Sequence, residues 1–246
     1  MKNRSNILLK AATLCILAML GRNVHAQPAS TATNQSPVTA IDILLEPDAT
    51  MLQHAEANNA RLLKVYPKGF ALDAAHRPHI TMLQCYVRTA DLDQVYAAAY
   101  KVLATAHVNV MKLEAFKYYY IPSKDIGLAG IVAKPTTELL KLQEDLIAAV
   151  APFTVKTGDS AAFVPTPDGS AHDPFLIEYV STFVPKASGE NYHPHVTTGL
   201  APRTYLDEML KEPFETFTFS PAGAAVYQLG EFGTAAKKLK EWDLKP

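Results

Sequence analysis

The sequence predicts an α+β fold of two similar lobes, built on antiparallel sheets with flanking helices and a cleft between the lobes. Two observations point there. Short strand-like runs are mixed with helical stretches in the order β-α-β-α-β-β-α, an irregular stretch, then β-α-β-β-β. Two near-identical tetrapeptides, Pro78-His79-Ile80-Thr81 and Pro194-His195-Val196-Thr197, lie 116 residues apart, each inside a short apolar run that reads as a strand. That repetition suggests a pseudo-duplicated architecture.

The first 26 residues read as a processing signal. Lys2, Arg4 and Lys10 make a basic start, Ala11 to Leu20 is apolar but too short to span a bilayer, and Val24-His25-Ala26 resembles a small-residue cleavage site. The expected product is an exported protein, periplasmic or secreted, with no membrane attachment after cleavage. Residues 27–37 (QPASTATNQSP) are small, polar and non-periodic and read as a flexible linker. Residues 38–246 are expected to form one two-lobed domain.

Within that domain, Thr39 to Leu45 is β-branched and aliphatic and reads as the first strand. Pro47-Asp48 opens a helix with Met51, Leu52, Ala55, Leu62 and Leu63 on its apolar face. The first motif strand runs from about His79 to Val87. Thr89 or Asp91 is placed to cap a helix through Ala106 that carries Leu92, Val95, Ala99 and Val102 on one side. Strands follow over Val108–Ile121, interrupted, and Gly127–Ala133. Pro135-Thr136 starts a helix with Leu139, Leu140, Leu142, Leu146 and Ile147 on its apolar side. Residues from Thr157 to Gly189 are punctuated by Pro and Gly, and Phe175–Phe183 fits a short helix or a strand. After the second motif strand (His195–Leu200) come a short helix over Thr204–Lys211 and strands near Glu215–Phe219, Ala224–Leu229 and Lys238–Leu244.

Charge and cysteine content narrow the function. The whole chain has 23 Lys/Arg against 24 Asp/Glu. Four of the basic residues lie in the first 26, so cleavage leaves 19 against 24, a formal charge of −5. A protein gripping many phosphates along a duplex is normally basic, so a small nucleotide or an RNA end is the expected partner rather than long duplex nucleic acid. After cleavage Cys85 is the remaining cysteine, which excludes an intrachain disulfide. Its strand-like setting suits a small buried apolar role. The chain carries no Gly-rich phosphate loop of either standard kind, no cofactor is expected, and a monomer is expected.

The motifs carry the chemistry. Residues i and i+2 of a strand share a face, so each motif presents one His beside one Thr. The pattern His-x-Thr alone is weak, but Pro-His-Ile/Val-Thr is expected by chance in well under ~0.01 copies, and two are present. Facing each other across a cleft, His79 and His195 supply a general acid and a general base, because imidazole titrates near neutral pH. Thr81 and Thr197 supply stiff hydroxyl donors for the charge that builds on phosphoryl oxygens. Which His is acid and which is base is not set by the sequence.

Two other readings use the same residues. His76 and His193 flank the motifs, and four imidazoles in one cleft could bind a transition metal. A non-catalytic periplasmic protein binding a nucleotide or phosphorylated metabolite could also keep the cleft, although a pure binder has no need of two proton carriers. Lys117-Tyr118-Tyr119-Tyr120 could stack a base or pack a core, and Lys237, Lys238 and Lys240 read as a solvated sheet edge.

The two motifs and the strand–helix alternation around them resemble the two-histidine (2H) phosphoesterase superfamily, in particular its 2′-5′ RNA ligase and cyclic phosphodiesterase branch. Ala225-Val226-Tyr227-Gln228-Leu229, Gly233 and Leu239-Lys240-Glu241-Trp242 look like the closing strands of that branch. The resemblance covers roughly Val38 to the end, with the irregular stretch before the second motif as an insertion. It implies a bilobal α+β protein that acts without metal on 2′,3′-cyclic or 2′-5′-linked phosphoesters. It also implies His79 and His195 as the acid–base pair, with Thr81 and Thr197 holding the phosphate.

Overall fold

A computed structural model describes Pro37–Leu244. The processing signal and all of the linker but Pro37 lie outside the described residues. The described chain is α+β, with nine strands in one antiparallel sheet and five α-helices.

The strands are β1 (Val38–Pro47), β2 (Ile80–Arg88), β3 (Leu113–Ser123), β4 (Ile126–Ala133), β5 (Thr154–Val155), β6 (His195–Pro202), β7 (Phe217–Phe219), β8 (Pro221–Leu229) and β9 (Ala235–Trp242). Their order across the sheet is β7-β3-β4-β6-β2-β1-β8-β9, with β5 paired to β2. Two four-stranded halves therefore meet where β6 adjoins β2. The lobes are not two consecutive pieces of chain, because β8 and β9 return from the C-terminal end to pair with β1 and with each other.

The seam is a single residue pair, Ile80 with Val196. Further along, β2 pairs with β5 instead, at Tyr86 and Val87. Ile80 and Val196 are the residues between His and Thr in the two motifs, and both are fully buried in the main core. Strand alternation then puts His79, Thr81, His195 and Thr197 together on the opposite face.

The helices are α1 (Ala49–Val65), α2 (Leu92–Leu103), α3 (Thr137–Val150), α4 (Pro174–Ala187) and α5 (Arg203–Met209). Met51 and Ala55 of α1, Val95 and Ala99 of α2, and Leu139, Leu142 and Leu146 of α3 join Ile41, Ile43, Ile80, Met82 and Val196 in the main core. Asp48 caps α1, accepting hydrogen bonds from the Thr50 and Met51 amides, and Thr136 caps α3 through the Leu139 amide. No side chain caps α2. Asp91 is held by Arg88 and the Thr89 hydroxyl by Thr39, so a short 3₁₀ turn over Thr89–Asp91 leads into it.

The segment that sequence left open, Phe175–Phe183, is helical. Pro174 sits at the first helical position, Asp173 accepts from the Phe175 amide, and Leu176, Val180 and Phe183 form the buried stripe. β9 is an edge strand carrying Lys237, Lys238 and Lys240, with Lys238 paired to Glu46 and Glu241.

Candidate active site

β2 and β6 each open on a motif, and the single seam pair sets their relative register. Antiparallel pairing of Ile80 with Val196 places His79 across from Thr197 and His195 across from Thr81. The four sequence-predicted site residues therefore converge on one face. A narrow cleft opens there, lined by His79, Thr197, His76, Arg77, Phe70 and Phe232; His195 and Thr81 lie on the same face but do not line it. A larger surface groove, bounded by Tyr96, Tyr100 and Trp242, contains none of the motif residues.

Both imidazoles are tethered in the same way. His79 donates from Nδ1 to the Arg77 carbonyl at 2.6 Å, and His195 donates from Nδ1 to the His193 carbonyl at 2.8 Å. Each ring accordingly keeps Nε2 for chemistry. The rings also sense each other, since the charge of His79 is among the causes that disfavour a proton on His195.

Their surroundings differ. His79 is buried, and its Nε2 lies 3.4 Å from Oδ2 of Asp42, a carboxylate with no solvent exposure. Burial alone would pull the His79 pKa down. Hydrogen bonding and charge from Asp42, helped by the Arg77 carbonyl and by Glu46, outweigh it and raise the pKa above the usual histidine value. His195 is moved the other way. Desolvation, together with repulsion from His79 and His193, lowers it to about 4 against weaker support from its backbone tether and Asp42. The two rings thus have opposed preferences, His79 toward the imidazolium and His195 toward the neutral imidazole.

The two threonines are not equivalent either. The Thr81 hydroxyl donates to Asp42 Oδ2 at 2.8 Å, so its one proton is committed there. Gln84 donates to the same oxygen at 2.9 Å. Thr197 lines the cleft, and no described protein group engages its hydroxyl. Of the two, Thr197 is the one with an uncommitted donor at the cleft.

Sequence reasoning missed Asp42, and one signal for it exists. It is the single charged residue inside the aliphatic run Ala40-Ile41-Asp42-Ile43-Leu44-Leu45, a placement that is costly unless the carboxylate is partnered. Arg77, Phe70 and Phe232 were missed as well. Phe232 occupies left-handed backbone (φ 58°) in the tight turn from Gly230 to Thr234, which holds its ring at the cleft, 6.5 Å from Phe70.

Of the tyrosine cluster, Tyr118 and Tyr120 pack into a core with Leu62 and Leu206. Tyr119 points the other way, its ring 4.8 Å from His195, and its buried hydroxyl has no hydrogen-bond partner. It can lie there because Gly130 is its neighbour on β4. A Cβ at Gly130 would come within 2.6 Å of the Tyr119 ring and 2.8 Å of the Val196 carbonyl.

Cys85 is buried, and burial with the charge of Asp42 pushes its thiol up to about 12, which makes it inert as a nucleophile. His76 is turned to Asp73, 3.0 Å from Nδ1, and stacks on Phe70 at 4.4 Å. Among the described residues no set of three or more His, Cys, Asp or Glu is gathered as a metal-holding group.

No family model matches the chain, and no curated protein does. Solved structures do match. TT0787 of Thermus thermophilus is 16% identical, covering 84% of this chain and 98% of its own, with a TM-score of 0.47. The MHV ns2 PDE domain is 10% identical over 83% and 99%, at 0.41. Escherichia coli LigT complexed with 3′-AMP is 11% identical over 85% and 100%, at 0.39. These are distant likenesses, and the functional reading rests on the site itself. In its two Pro-His-x-Thr motifs, one in each half of the sheet and meeting across Ile80 and Val196, the chain resembles the two-histidine phosphoesterases.

Proposed function

We propose that this protein is a metal-independent phosphodiesterase that hydrolyses a 2′,3′-cyclic or 2′-5′-linked phosphoester of a small nucleotide or an RNA end. The observation that carries this reading is the meeting of two tethered imidazoles of opposite proton preference on one face of the β2–β6 seam, beside the cleft. Hydrolysis needs just that pair. One Nε2 takes a proton from water as the water oxygen bonds to phosphorus, and the other Nε2 gives its proton to the ribose oxygen as the P–O bond breaks. Thr197 is placed to donate to a non-bridging oxygen, where charge grows as phosphorus becomes five-coordinate. Arg77, exposed at the cleft rim, adds positive charge toward the same group.

The narrow cleft and the acidic balance of residues 27–246 support a small substrate or a chain end over a duplex. Export to the periplasm or medium is supported by the pattern of the first 26 residues. There, dilution favours hydrolysis over the reverse ligation by mass action.

The test is a panel of 2′,3′-cyclic nucleotides and 2′-5′ dinucleotides offered to the chain lacking residues 1–26, with and without chelator. Turnover of at least one member that survives exhaustive chelation, and that His79→Ala or His195→Ala lowers by about 10²–10⁴-fold, is the expected result. Absence of turnover in folded protein would favour a nucleotide-binding protein, and loss of turnover on chelation would favour the four-histidine metal reading.

A further inference from the structure

The motifs repeat each other, but the strands beside them do not. β1 adjoins β2 in one half as β4 adjoins β6 in the other. β1 carries Asp42, whereas β4 reads IGLAGIVA and has no ionisable side chain. We propose that Asp42 is a positioning residue that divides the labour between the histidines, keeping His79 the proton donor and His195 the proton acceptor.

The geometry supports this at each atom. Because both Nδ1 atoms are held by backbone carbonyls, only Nε2 is free to differ, and Asp42 Oδ2 faces that atom of His79 at 3.4 Å. At that distance Asp42 favours the imidazolium through its charge and a long, weak hydrogen bond, which leaves the proton able to pass to a substrate oxygen. Oδ2 is fixed from two other sides, by the Thr81 hydroxyl and the Gln84 amide, while Oδ1 is buried with no partner. Those two bonds hold the carboxylate in position beside the ring.

Other ionisable groups also face the pair. Glu46 of β1 adds to the pull on His79. Cys85 of β2, Tyr179 of α4 and Tyr192 before β6 sense the Asp42 charge, and in all three burial with that charge makes deprotonation harder, so they stay neutral. Tyr227 of β8 pairs with Asp42 in register, and Lys238 of β9 is drawn to Glu46 and Glu241. His195 is faced by Tyr119 of β3; desolvation and the charges of His79 and His193 disfavour its proton, and they outweigh the support it draws from the His193 carbonyl and from Asp42.

The experiment is NMR titration of the two imidazoles in the chain lacking residues 1–26, with signals assigned by His79→Gln and His195→Gln. It needs no substrate, so it succeeds or fails independently of the phosphodiesterase reading on which the kinetic consequence rests. His79 is expected to hold its proton to higher pH than His195. Asp42→Asn should cut the proton affinity of His79 by about tenfold or more and affect His195 less. Gln84→Met, which frees one side of Oδ2, should move His79 upward. In the pH–rate profile on a substrate found above, Asp42→Asn should shift the alkaline limb to lower pH and leave the acid limb in place. A reversed order of titration in the unaltered protein would overturn the proposal, as would a folded Asp42→Asn variant with His79 unmoved. Should Asp42→Asn fail to fold, the order in the unaltered protein and the direction of Gln84→Met decide.

Discussion

Thr81 and Thr197 sit at the same place in their motifs, but the Thr81 hydroxyl donates to Asp42 while that of Thr197 is unengaged among the described residues. Removing the hydroxyl of Thr197 should take away a donor aimed at the reacting phosphoryl group. Thr197→Val is therefore expected to lower kcat by about 10²-fold, some 3 kcal/mol, with little change in KM. Thr81→Val instead frees Asp42 Oδ2 on one side, so its signature should be a displaced alkaline limb in the pH–rate profile. Steady-state kinetics across pH on both variants separates the two roles, and identical profiles would show the threonines to be interchangeable. The sequence made the histidines and threonines legible because a repeated tetrapeptide is improbable by chance. It left the inequality hidden, because that depends on Asp42, 37 positions before His79 in the chain and adjacent to it only once β1 and β2 pair.

Among the elements, β4 shows how a strand can serve a site without contributing a reactive group. Its Gly130 leaves room for the Tyr119 ring beside His195. Gly130→Ala would press a methyl into that ring and into the Val196 carbonyl, and backbone does not yield easily. The expected cost is about 1–3 kcal/mol of stability, read as a lower denaturant midpoint, together with a displaced His195. An unchanged midpoint would mean that β4 can shift away. Most element boundaries were legible because caps and apolar spacing agree, as at Asp48 and Thr136. α4 was not resolved because the surrounding Pro and Gly looked like loop, although Asp173-Pro174 and the spacing of Leu176, Val180 and Phe183 already spelled a helix. β5 is two residues long, too short to leave a pattern.

For the molecule as a whole, the seam between half-sheets rests on one strand pair, so side chains beneath it must hold the register. Ile80 and Val196 lie fully buried there. Ile80→Ala should cost about 2–5 kcal/mol, measurable by urea unfolding, and should lower activity in excess of the unfolded fraction, because the imidazoles on the other face lose alignment. A proportionate loss of both would mean that stability alone is affected. The two-lobed plan was readable from the motif repeat. Its interleaving was not, since nothing local announces that β8 and β9 return to β1. That return has a consequence for biosynthesis. Tyr227 is the β8 neighbour of Asp42, so a chain emerging from the ribosome leaves the first strand open along one edge until residues past Pro221 have been made. The sheet around the paired imidazoles therefore closes only after β8 has been made.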